Sequence, residues 1–156
     1  MREATLCLLV QGEPVERVLL GFKKRGFGQG KYTGFGGKVE PGETVAAAAV
    51  RELVEEIGIA VSEAQLKPVG IITFRFSAKP AWDQTVHIFL VCAWSGAPSE
   101  GDEMKPHWFQ RDALPFAQMW ADAPQWLPLI LADKSICATF VFNSDNETVL
   151  DYAIVG

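Results

Sequence analysis

Three acids in this chain, Glu52, Glu55 and Glu56, fall at i, i+3 and i+4. On a helix that spacing predicts one shared face, where each like-charge pair destabilises by roughly 0.2–0.5 kcal/mol. Clustered carboxylate oxygens are the ligands that Mg²⁺ or Mn²⁺ wants, and Mg²⁺ usually rests on a few carboxylates plus substrate phosphates. A solvated face balanced by arginines would explain the same spacing. The surrounding charge favours the metal. Lys23, Lys24, Arg25, Lys31 and Lys38 place five cations and no acid in residues 23–38, and Glu40, Glu43, Glu52, Glu55 and Glu56 follow. A carboxylate–metal–phosphate sandwich lets an acidic site accept an anionic substrate.

These residues need elements to position them. Thr44 to Ile57 predicts a helix, with Thr44 as N-cap, four alanines for propensity and Gly58 as the stop. Its apolar stripe reads Ala46, Val50, Leu53, Val54 and Ile57, with the three acids on the opposite face. Arg25 to Gly37 holds six glycines in thirteen residues, which predicts a loop where backbone comes close to something. Thr5–Val10 and Arg17–Lys23 read as a strand pair around Gly12-Glu13-Pro14, and Val69–Ser77 and Thr85–Trp94 as strands joined through Pro80-Ala81-Trp82-Asp83. His107–Gln110 reads as a short strand and Pro124–Ala132 as a short helix limited by Pro128. Thr139–Phe142 and Thr148–Ile154 close the chain as strands. The mixed order predicts an α+β fold, a mixed sheet with a helix on each side.

Bulk composition bounds the reading. The chain has 156 residues, 49% hydrophobic, with a formal charge of −5, which predicts a single domain, 1–156. A negative balance argues against a nucleic-acid polymer or an anionic membrane as partner. No apolar run approaches a membrane span, and the first eleven residues do not resemble a signal peptide. Cys7, Cys92 and Cys137 are odd in number and far apart, which predicts reduced, mostly buried thiols in a cytoplasmic protein with no structural zinc.

Gly37-Lys38-Val39-Glu40-Pro41-Gly42-Glu43, seven further residues, then Arg51-Glu52-Leu53-Val54-Glu55-Glu56-Ile57-Gly58-Ile59 resembles the complete signature of the Nudix hydrolases. All nine fixed positions over 23 residues are filled. The resemblance implies an α/β/α sandwich and Mg²⁺-dependent hydrolysis of a nucleoside diphosphate linked to another group. It implies that Glu52, Glu55 and Glu56 hold metal, with the Gly37 carbonyl as a further ligand, and that Arg51 and Glu43 orient the carboxylates. Glu103, in a later acidic loop, is the candidate for one more metal ligand. Which acid takes the proton from water stays open, although the position of Glu52 is the one most often proposed.

A narrower resemblance, over nearly the whole chain, is to the MutT-type oxidised purine nucleoside triphosphatases of animals. It rests on Arg17 to Gly28, Gly34 to Val39, Asp102 to Gln110, Met119-Trp120-Ala121-Asp122, Trp126 to Leu129 and Leu150-Asp151-Tyr152. It implies cleavage of 8-oxo-dGTP and related nucleotides to the monophosphate and pyrophosphate, which sanitises the nucleotide pool. The substrate is then a small nucleoside triphosphate and the working unit a monomer. Thr5, Lys23, Phe27, Thr33, Phe74, Trp120 and Asp122 fall on positions that line the base pocket. Aromatic rings there offer a purine a stacking surface, and a carboxyl group reads ring N–H or amino groups. Two positions depart from those relatives: Thr33 stands where they carry Asn, and Ala123 where they carry a second Asp. A methylated or 2-oxo purine nucleotide is therefore an alternative substrate. A nucleotide-binding module without catalysis is the alternative from another class.

Overall fold

The structure is a computed structural model that describes all 156 residues, Met1–Gly156. Eight strands form one mixed sheet: β1 (Arg2–Gln11), β2 (Arg17–Lys23), β3 (Tyr32–Thr33), β4 (Leu66–Phe76), β5 (Gln84–Val91), β6 (Met104–Gln110), β7 (Ile136–Phe142) and β8 (Val149–Val155). The order is β3-β2-β1-β5-β4-β7-β8, with β6 also paired to β2. β1 runs parallel to β5 and β4 parallel to β7; the other pairs are antiparallel.

Helix α1 (Val45–Ile57) covers one face and α2 (Ala123–Leu131) the other. Alternation along β1 divides the core. Cys7 and Leu9 join Ala49, Leu53 and Ile57 of α1, whereas Leu8 and Val10 join Trp126, Leu127 and Ile130 of α2. The architecture is the expected α/β/α sandwich.

α1 begins and ends as its sequence predicts. Thr44 Oγ1 accepts from the Ala47 N–H at 3.1 Å, and Gly58 takes the left-handed conformation at φ 70° while its N–H returns to the last carbonyls. The face assignment needs correction. Val54, placed in the buried stripe, is 53% exposed, and Glu56, placed on the open face, is buried at 7%. Helical spacing brings Glu56 in beside Leu53 and Ile57, where the glycine-rich loop crosses the helix and supplies a donor that an apolar neighbour would lack.

Several strand limits also shift. β6 starts at Met104 rather than His107 and contains Pro106. It pairs only with β2, and a proline is tolerated on such an edge. Of the three thiols only Cys7 is buried, where burial pushes its pKa up to about 12; Cys92 and Cys137 are exposed. No helix is long and apolar enough to cross a membrane.

Candidate active site

The glycine-rich loop after β3 lies directly over α1. The Gly36 N–H donates to Glu56 Oε1 at 2.6 Å. A Cβ on Gly37 would sit 2.7–3.0 Å from the Glu52 carboxylate, so any side chain there would displace that carboxylate. The same loop is bonded to β1, with the Thr5 N–H donating to the Gly37 carbonyl at 2.9 Å. Thr5 Oγ1 lies 3.4 Å from both polar atoms of the Gly37 backbone. Strand, loop and helix are thus tied together at the carboxylates.

Arg51 organises the open side of the helix. Its Nε and Nη2 grip both oxygens of Glu43 at 2.8 and 3.0 Å, and Nη1 reaches Glu52 at 2.9 Å and Glu55 at 3.2 Å. Nη2 also donates to the Lys38 carbonyl at 3.1 Å. This fork is the geometry that makes arginine irreplaceable by lysine. The bond to Arg51, then the Glu40 N–H, hold the Glu43 carboxyl down at about 2. Glu43→Ala is expected to lower kcat about tenfold through misplacement of Arg51 and Glu52, with little change in Tm. Parallel kinetic and melting measurements check this; unchanged kcat would remove Glu43 from the orienting role.

Glu52 and Glu56 carry the opposite perturbation. Burial raises both, and at Glu56 the neighbouring Glu52 charge adds to it, up to about 8. The Gly36 N–H and Lys23 oppose that rise only in part. Lys23 is itself paired with Glu103 at 3.2 Å, which brings the later acidic loop to the same place.

A buried Glu56 and a half-buried Glu52 that repel one another, with hard oxygen donors around them, fit a divalent metal. Glu52 and Glu56, joined by Glu55, Glu103 and the Gly37 carbonyl, are the groups that would hold it. In the arrangement described, Arg51 engages Glu52 and Glu55, and no three acid, histidine or cysteine groups gather tightly around one point.

A cavity of about 630 Å³ opens beside this cluster and runs to the α2 face. Thr5, Lys23, Phe27, Thr33, Phe74, Trp120 and Asp122 all line it, as do Gly37, Glu52, Glu56 and Glu103. Glu43, Arg51 and Glu55 stand outside the lining. Asp122 is 4% exposed; burial pushes its carboxyl up to about 6, against the pull of the Trp126 indole N–H, which donates to Oδ2 at 2.6 Å. Phe27 stacks on Trp120, centroids 5.1 Å apart and planes at 26°. The sequence reading missed Phe76, Trp82, Gln84 and Trp126, which also line the cavity. For Trp126 the signal was present, since Asp122 and Trp126 stand at i, i+4 just where α2 begins.

The Nudix domain profile matches residues 1–130. The chain belongs to the Nudix family. Nudix hydrolases generally use divalent metal ions, typically Mg²⁺. The chain is 47% identical over 150 residues to a Mus musculus protein named oxidized purine nucleoside triphosphate hydrolase, covering 96% of this chain and 92% of that one. A Danio rerio protein of the same name is 48% identical over 145 residues, covering 93% and 89%. The crystal structure of a MutT protein from Bacillus halodurans superposes with a TM-score of 0.80 at 25% identity, covering 99% of this Nudix chain and 97% of its own.

Proposed function

We propose that this chain hydrolyses oxidised purine nucleoside triphosphates of the 8-oxo-dGTP type to the monophosphate and pyrophosphate, and so sanitises the nucleotide pool. The observation that carries the reading is the continuity of one cavity. It joins the Glu52–Glu56 carboxylates at one end to Trp120 and the buried Asp122 at the other. A triphosphate and a purine base are the two halves of a ligand that such a cavity suits. The names of the Mus musculus and Danio rerio relatives support the same substrate class.

When bound, Mg²⁺ or Mn²⁺ would neutralise phosphate charge and supply a more acidic water. The chain's own groups do the rest. Glu52, Glu55 and Glu56 present the oxygens, with Glu103 completing the set and Arg51 and Glu43 holding the helix face in order. Lys23, at the cavity wall, meets phosphate oxygens and offsets their charge. Water attacks phosphorus, the β atom in this reading: the bond from that phosphorus to the α–β bridging oxygen breaks, the nucleoside monophosphate leaves with that oxygen, the water oxygen stays in pyrophosphate, and the water's proton passes to a neighbouring carboxylate. Trp120 stacks the base, Asp122 takes its N–H groups, and Thr33 adds one hydroxyl.

A monomer in a cytoplasmic setting is part of the same proposal, and the three free thiols suit that setting. With Ala123, 3% exposed, in the cavity wall, a methylated or 2-oxo purine nucleotide is the second reading.

A panel of oxidised, methylated and unmodified nucleoside triphosphates with Mg²⁺ separates the two. The expected result is kcat/KM for 8-oxo-dGTP at least about tenfold above dGTP, the scale of one well-placed hydrogen bond. Pyrophosphate release should disappear in EDTA and in Glu52→Gln. A ratio near one removes the oxidised-base reading, and release without divalent metal removes the metal.

A further inference from the structure

We propose that Trp82 is a positioning residue for the substrate base: it docks Phe27 at the cavity mouth and thereby sets the width of the slot that a purine enters. This rests on the reading that the cavity takes a purine.

Trp82 ends a short 3₁₀ turn, Pro80–Trp82, between β4 and β5. The turn is pinned at both sides. The Trp82 N–H donates to the Lys79 carbonyl at 2.9 Å, and Asp83 Oδ1 accepts from the Phe76 N–H at 2.7 Å. Lys79 Nζ stands 4.1 Å from the indole centroid, so a cation lies over the ring. The indole meets Phe27 edge to face at 4.9 Å and 80°, and Phe76 at 5.5 Å and 86°.

Phe27 is 43% exposed and packs against two tryptophans, edge to face on Trp82 and stacked on Trp120. A base lying between Phe27 and Trp120 needs about 7 Å, two contacts of about 3.5 Å each. The observed 5.1 Å is too small for that. Phe27 must therefore yield when a base stacks on Trp120 from that side. Its ring is 43% exposed, which leaves the side chain room to turn. Trp82 already touches that ring edge to face at 4.9 Å, so it bounds the movement, which needs only about 2 Å beyond the observed 5.1 Å. Without it, Phe27 swings free and the base loses its second face.

The test is a double-mutant cycle on Trp82 and Phe27, read with 8-oxo-dGTP and dGTP under Mg²⁺. Trp82→Ala is expected to raise KM about tenfold, with kcat within about threefold. Trp82→Phe should recover most of the loss. In a Phe27→Ala background, Trp82→Ala should change KM less than about twofold, because the partner it positions is gone. Additive effects, or a KM unmoved by Trp82→Ala in a variant whose Tm shows it folded, overturn the proposal. If wild type prefers dGTP, the oxidised-base reading fails and the cycle is still read on dGTP. If no purine triphosphate is turned over, the cycle is read as 8-oxo-dGMP affinity by calorimetry, with the same non-additivity expected.

Discussion

Glu56→Gln is expected to lower kcat by at least about a hundredfold and, at the same time, to make the metal-free protein more stable above neutral pH. The first effect follows from removing one carboxylate from the metal-holding set. The second follows from burial. In the folded chain the Glu56 carboxyl is pushed from 4.5 up to about 8, first by burial and then by the Glu52 charge. A carboxyl whose folded pKa is raised favours the folded state fully below the unfolded value of 4.5. That stability is lost as pH climbs through about 8, because the unfolded chain ionises more easily. The loss is on the order of 4 kcal/mol across the window.

Glutamine keeps an oxygen for the Gly36 N–H and never ionises. In EDTA, wild-type Tm should therefore fall between pH 5 and pH 9 by on the order of 10 °C more than that of Glu56→Gln. Adding Mg²⁺ at pH 8 should raise the wild-type Tm and leave the variant nearly unmoved. Parallel pH curves for the two proteins would mean that Glu56 is not a strained buried acid.

Asp122→Asn is expected to reduce kcat/KM for 8-oxo-dGTP by about 10- to 100-fold, mostly through KM. Asp122 is 4% exposed, with Oδ2 taken by the Trp126 indole, so Oδ1 is the oxygen left for a ligand. Its carboxyl is raised to about 6, chiefly by burial. At pH 7.5 it is mainly ionised and accepts from ring N–H or amino groups. A charge-assisted bond of this kind contributes about 1.5–3 kcal/mol. Asparagine turned to keep the Trp126 bond aims an NH₂ at those donors instead. Wild-type KM should rise as pH falls through about 6, while the variant stays flat over the same range. The carboxyl is raised, so its contribution to stability is likewise lost as pH rises, and the variant should be no less stable than wild type at pH 8. An unchanged kcat/KM would take Asp122 out of base recognition.

Helix α1 was legible because its signals are local: a capping threonine, four alanines and a glycine stop. Its buried side was not, because periodicity ranks Val54 above Glu56 for burial. The loop that gives Glu56 a donor comes from 20 residues upstream. β6 was read three residues short because Pro106 looks like a breaker until its place on an edge is known. The roles given to the signature residues came from the family resemblance; Gly37, Glu52 and Glu56 line the cavity, and Glu43, Arg51 and Glu55 stand outside it. Trp82 was not nameable. Its partners Phe27 and Phe76 reach it only once β4 has turned into β5, and nothing in Pro80-Ala81-Trp82-Asp83 distinguishes a pocket wall from a connection.

The pairing of β1 with β5 has a consequence for synthesis. The first strand finds its parallel partner only at Gln84–Val91, and β4 waits for Ile136–Phe142. Such long-range pairings form late. While the chain is still emerging from the ribosome, α1 can coil and bind its cap, but the walls around its acids do not exist. Asp122 and Trp120 arrive only after three-quarters of the chain has been made. A nascent chain therefore offers nucleotides no partial site, and it also exposes the apolar faces of β1 and β4 until α2 and β7 have been made. Shielding those strands, rather than the acidic helix, is what a folding chaperone would do for this protein.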